Sequence, residues 1–105
     1  MQSSHGEVRV AVIGAGLAGR AHAYGFRNME VMFYPPPARV RLVAVADANE
    51  ALARDLEGRF GFERVTTSWE SIADAPDVDA VSIALPNYEH RPVAEACMAA
   101  GKHVL

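Results

Sequence analysis

Three glycines, Gly14, Gly16 and Gly19, stand within six positions of the stretch VIGAGLAGRAHA, directly behind an apolar run. Their spacing is G-x-G-x-x-G. Where a strand turns into a helix, the first glycine permits a tight turn and the second lets the backbone approach a pyrophosphate. The third lets helix and strand pack closely. The helix that follows presents unpaired N–H groups and the positive end of its dipole to phosphates. The same glycines could also serve only to pack a turn. Asp47, which closes LVAVAD at the end of a second apolar run, bears on that choice. A carboxylate there accepts hydrogen bonds from the ribose hydroxyls of an adenosine and repels a 2′-phosphate, which favours NAD over NADP. No Arg or Lys lies between Asp47 and Ala53 to receive such a phosphate. Asp47 could instead merely open the turn ahead of Asn49. Its distance from the glycines is long: it follows Gly19 by 28 positions and Gly14 by 33, against a usual separation of about 20. The excess falls in NMEVMFYPPPARV, residues 28–40. That stretch reads as an inserted surface loop, although the apolar Met32, Phe33 and Tyr34 leave a subunit contact open.

These residues need elements to hold them, and the chain alternates strand and helix. VRVAVI (8–13) is a short, nearly all-apolar run, as a strand buried on both faces should be. Helical spacing follows from Leu17 to Met29, and VRLVAVA (40–46) is a second strand. Asn49 is placed to cap a helix carrying Leu52 and Leu56 on one face and ending near Gly58 or Gly61. RVTT (64–67) gives a short third strand, Ser68 caps a brief helix through Ile72, and VDAVSIAL (78–85) gives a fourth strand. Pro86 and Asn87 break that strand. RPVAEACMAA (91–100) then reads as a helix with Pro92 in its first turn and Gly101 at its C-terminal cap. HVL (103–105) opens a fifth strand. Strands separated by helices imply an α/β, doubly wound Rossmann sheet, parallel, with helices on both faces and incomplete at the fifth strand. The expected organisation is a tail over 1–7 and one dinucleotide-binding domain over 8–105. Ending on an apolar strand, it reads as the N-terminal part of a longer protein.

Composition narrows the partners. The 105 residues suffice for one core, and half of them are hydrophobic. A net charge of −3 with no cluster of Lys or Arg argues against nucleic acid or an acidic membrane surface. No apolar run approaches the roughly 20 residues of a membrane span, and MQSSHGEVRV lacks the features of a secretory leader. Cys97 stands alone, and the histidines at 5, 22, 90 and 103 show no metal-ligand spacing. The expectation is a cytoplasmic protein without a metal site.

Through VRVAVIGAGLAGRAHA, LVAVADAN and SIALPNYEHRPVAEACMAAGKHVL, the chain resembles the N-terminal domain of the glucose–fructose oxidoreductase/inositol dehydrogenase (Gfo/Idh/MocA) family. The resemblance runs from about residue 8 to the end. It implies an oxidoreductase that moves hydride between NAD and a sugar, cyclitol or related secondary alcohol. It also implies that Gly14, Ala15, Gly16, Leu17 and Ala18, ahead of Gly19, line the pyrophosphate while Asp47 holds the adenosine ribose. Leu85, Pro86 and Asn87 would pass the nicotinamide half, with His90 at the following helix start. His90 could equally be a polar residue packing its loop, and His22 fits the pattern as a packing or hydrogen-bonding residue. The family's Glu-Lys-Pro motif, whose Lys is catalytic, falls just after the fifth strand, and this sequence stops at Leu105. The catalytic residues and the sheet domain that takes a sugar or polyol substrate and supports homo-oligomers are therefore expected beyond it. Lys102, at a helix end, reads as solvated or helix-capping. A dinucleotide-binding sensor or scaffold without turnover remains an alternative. A methyltransferase with a related glycine loop fits Pro86-Asn87 less well.

Overall fold

The computed structural model of the chain describes residues 6–35 and 38–105. Five parallel strands, β1 (Glu7–Ile13), β2 (Arg39–Ala46), β3 (Arg64–Thr66), β4 (Ala80–Ile83) and β5 (His103–Val104), form one sheet in the order β3-β2-β1-β4-β5. The connections are helical: α1 (Leu17–Met32), α2 (Glu50–Phe60), α3 (Trp69–Ala73) and α4 (Asn87–Ala99). The chain winds outward from β1 to β3, then crosses back to lay β4 on the other side of β1. That reversal opens a crevice beyond the carboxyl ends of β1 and β4, where ligands of such sheets lie.

Residues 10–13, 42–46 and 80–83 of the three central strands are buried and, but for Ser82, apolar because both faces of the sheet are covered there. One face packs Val10, Val12, Leu42 and Val45 under Ala23 of α1 and Ala53 and Leu56 of α2. The other packs Ala11, Ile13, Val81 and Ile83 under Ile72 of α3 and Val93 and Cys97 of α4. A bulge interrupts β2. Val10 pairs with Leu42 but Ala11 pairs with Ala44, so Val43 is an extra residue. Val43 and Ala44 consequently share one face of the core.

Several boundaries differ from the sequence expectations. Glu7 already belongs to β1, and residues 1–5 of the expected tail lie outside the described residues. The first helix runs three residues past Met29, so half of the supposed loop over 28–40 is helix or strand. It stops where Phe33 turns extended, one residue before Tyr34, whose following Pro35 disfavours helical backbone. In α2 the buried residues are Ala53 and Leu56, while Leu52 is exposed. β4 pairs over four residues rather than eight, since only Val10–Ile13 of β1 face it. The last helix begins at Asn87, four residues earlier than expected, with Pro92 inside it rather than in its first turn. Its end follows expectation: Gly101 adopts φ +83°, its N–H bonds Met98 O, and the Lys102 N–H bonds Cys97 O, which is a Schellman closure. Lys102 is neither solvated nor a cap of that helix; its Nζ donates to Ala75 O at 2.6 Å and is half-buried. No helix among the described residues is long and apolar enough to cross a membrane.

Candidate functional site

The three glycines occupy three different environments. Gly14 sits at φ +105°, and a Cβ there would lie 2.5 Å from Ala84 O. A Cβ on Gly19 would lie 1.9 Å from Gly14 O, so the close approach of α1 to the turn after β1 requires glycine. Both are explained by the fold alone. Gly16 is not: its φ is −78°, and a Cβ would meet nothing within 4 Å. The space beside Gly16 is open. Around it, no acceptor among the described residues meets the N–H groups of Gly16, Leu17, Ala18 or Gly19. The first turn of α1 has no capping side chain and no acidic residue, so its partial positive charge is uncompensated. Leu17 is 83% exposed beside it. Ala15, in contrast, is buried, and its N–H is used within the chain.

That N–H donates to Asp47 Oδ2 at 2.8 Å, and the Asn49 N–H donates to Asp47 Oδ1 at 2.8 Å. Asp47 therefore joins the glycine turn to the start of α2. Each carboxylate oxygen keeps acceptor capacity for a further donor. The bulge at Val43 helps place it, since the resumed register sets Ala46 against Ile13 and lets the Gly14 N–H reach Ala46 O at 2.7 Å. Asn49 caps α2 as expected, accepting from the N–H groups of Ala51 and Leu52.

Asp47 borders a cleft of about 230 Å³ at the carboxyl ends of the strands, shared with Ala48, Thr67, Trp69, Leu85, Pro86 and Glu89. The wall is largely apolar and its only charges are carboxylates, so it holds no cation to receive a 2′-phosphate. Of the residues expected after β4, Leu85 and Pro86 line this cleft, while Asn87 and His90 lie outside its lining. The His90 ring Nε2 donates to Ile83 O at 3.1 Å and ties α4 to the end of β4. His22 has the hydrogen-bonding part expected of it: its Nδ1 lies 2.8 Å from the hydroxyl of Ser82, the buried polar side chain of β4. Thr67, Trp69 and Glu89 went unrecognised in the sequence as site residues. No motif marks them, because β3, α3 and α4 bring them to Asp47 only on folding.

The carboxyl edge of the sheet thus holds open space and free N–H groups at Gly16, the Asp47 carboxylate and a largely apolar cleft beside it, an arrangement with room for a dinucleotide. Comparisons with known proteins agree. The family model for the Gfo/Idh/MocA oxidoreductase family, NAD-binding Rossmann fold, matches residues 8–105. Levoglucosan dehydrogenase of Pseudarthrobacter phenanthrenivorans is 42% identical over 98 residues, 93% of this chain and 25% of that protein. Inositol 2-dehydrogenase of Rhizobium meliloti is 37% identical over 97 residues, 92% of this chain and 26% of that protein. A solved levoglucosan dehydrogenase in complex with NADH superposes with a TM-score of 0.88 at 42% identity, over 93% of this chain and 26% of that one. The chain thus spans about a quarter of the length of these relatives. It belongs to the Gfo/Idh/MocA oxidoreductase family and supplies that family's NAD-binding Rossmann fold.

Proposed function

We propose that this chain is the cofactor-binding part of an NAD-dependent dehydrogenase that oxidises a secondary alcohol of a sugar or cyclitol. The open space at Gly16 carries the reading, because the fold itself gives no reason for glycine there. The free N–H groups from Gly16 to Gly19 would hold the pyrophosphate, with Gly14 and Ala15 shaping the turn and Leu17 and Ala18 beside it. Asp47 would accept from the ribose hydroxyls; Leu85 and Pro86, expected beside the nicotinamide half, share the cleft of Asp47 and would border the adenosine instead. Asn87 and His90 would shape the loop toward the nicotinamide half. The bound dinucleotide supplies the hydride chemistry; this chain binds and orients it. The family relatives named for levoglucosan and inositol favour a polyhydroxylated ring as substrate, taken by a region outside this chain. Lys102 is held by Ala75 at the amino edge of the sheet, away from the cleft, so the base for the alcohol also belongs outside. We assign the whole enzyme to the cytoplasm, as a homo-oligomer.

Titration with NADH and with NADPH, read by nicotinamide emission and by quenching of Trp69 in the cleft wall, tests the proposal. The expected result is saturable NADH binding and much weaker NADPH binding. Asp47→Ala combined with Ala48→Arg should then shift the ratio toward NADPH by about tenfold or more, through loss of repulsion and gain of a charge-assisted bond. A folded sample that binds neither dinucleotide would overturn the assignment.

A further inference from the structure

The cleft beside Asp47 holds a second carboxylate, Glu89, half-buried in the first turn of α4. Several other acidic side chains have partners: Glu70 accepts from the Ser68 hydroxyl, Glu50 and Glu57 pair with Arg54, and Asp77 pairs with Arg64. Among the described residues no donor reaches the Glu89 carboxylate, and Arg91 on the same helix is engaged by Glu95 at 2.9 Å. Glu89 is thus an unpartnered acceptor on a cleft otherwise walled by Trp69, Leu85, Pro86 and small side chains. A partly desolvated carboxylate is stabilised when a ligand brings it a hydrogen-bond donor.

An adenosine brings two kinds of donor. Its ribose hydroxyls belong to Asp47, which leaves the exocyclic amine of the base. With the ribose at Asp47, the purine extends into the same cleft, where Trp69, Leu85 and Pro86 offer apolar walls to its faces. We propose that Glu89 accepts a hydrogen bond from the exocyclic amine of adenine and makes the site select adenine over 6-oxopurines. The inference rests on the dinucleotide-binding reading and deepens it. In a hypoxanthine dinucleotide a carbonyl oxygen replaces the amine, so a bond is lost and an acceptor faces the carboxylate. A helix-stabilising role alone, through the first-turn position of Glu89, would affect folding but not the choice of base.

The experiment compares NADH with the reduced nicotinamide hypoxanthine dinucleotide by fluorescence titration of the wild-type chain and Glu89→Gln. The wild type should bind the hypoxanthine form about tenfold more weakly, the scale of a hydrogen bond to a charged group. Glu89→Gln, whose amide offers both donor and acceptor, should bring the ratio close to one. Equal wild-type affinities, or a preference that survives Glu89→Gln, would overturn the role of Glu89 and leave NADH binding intact. Absence of saturable NADH binding by the folded wild type would overturn both readings.

Discussion

A side chain at Gly19 and one at Gly16 would meet opposite surroundings, and that contrast separates folding from binding at single-residue scale. At Gly19 a methyl group would overlap the carbonyl oxygen of Gly14, a backbone atom fixed by the turn after β1. Gly19→Ala should therefore cost about 3 kcal/mol or more of stability as α1 is pushed from the sheet. At Gly16 the added atoms enter open space at ordinary backbone angles. Gly16→Val should change stability by only about 1 kcal/mol, the scale of a helix N-cap substitution, yet place its side chain where a pyrophosphate must lie. Urea denaturation and NADH titration of the two variants read these effects separately. A Gly16→Val chain that bound NADH as tightly as the wild type would remove the phosphate cradle from the argument.

Among the elements, α1 is set apart by its beginning. α2 opens with the Asn49 cap and Glu50, and α3 and α4 carry Glu70 and Glu89 in their first turns, whereas α1 has neither a capping side chain nor an acid. A helix terminus left in that state is less stable by itself and more attractive to an anion. Ala18→Glu, at an exposed first-turn position, should stabilise the unliganded protein by about 0.5 kcal/mol through the helix dipole. The same change should weaken NADH binding through repulsion of the phosphates. Thermal unfolding without ligand and a parallel titration check for these opposite signs; an unchanged affinity would mean that phosphates do not approach this helix end. The special character of α1 was legible because glycine spacing and the Asp47 carboxylate are local signals that follow apolar strands. The start of α4 was not, because Pro86 and Asn87 read as a break after the strand and Pro92 as a first-turn proline, whereas the helix begins at Asn87 and carries Pro92 inside it. Nor was the part played by Thr67 and Trp69, whose approach to Asp47 depends on β3 lying beside β2.

At the scale of the whole molecule, the two edges of the sheet have different occupations. The carboxyl edge carries the glycine turn, Asp47 and the cleft. The amino edge is joined by bidentate ion pairs: Arg9 with Asp79, Arg41 with Glu63, and Arg64 with Asp77. These tie the early residues of β1, β2 and β3 to the loops entering β3 and β4, at the edge opposite the cleft. The Arg64 guanidinium, donating to both oxygens of Asp77 at 2.7 and 2.9 Å, lowers that carboxyl from 3.8 to about 2. Because the folded value lies below the unfolded one, the pair contributes its stability fully above pH 3.8 and loses it as the pH falls toward 2. The side chains are 44% and 38% exposed, so solvent screening limits the contribution to about 0.5 kcal/mol. Asp77→Asn should thus destabilise the protein slightly at neutral pH and flatten the decline of stability between pH 4 and 2, as urea midpoints across that range would show. NADH affinity at neutral pH should be unaffected, since Asp77 stands at the edge opposite the cleft. A matched loss of affinity would mean that the two edges are coupled through the sheet, and that this division between folding and binding does not hold.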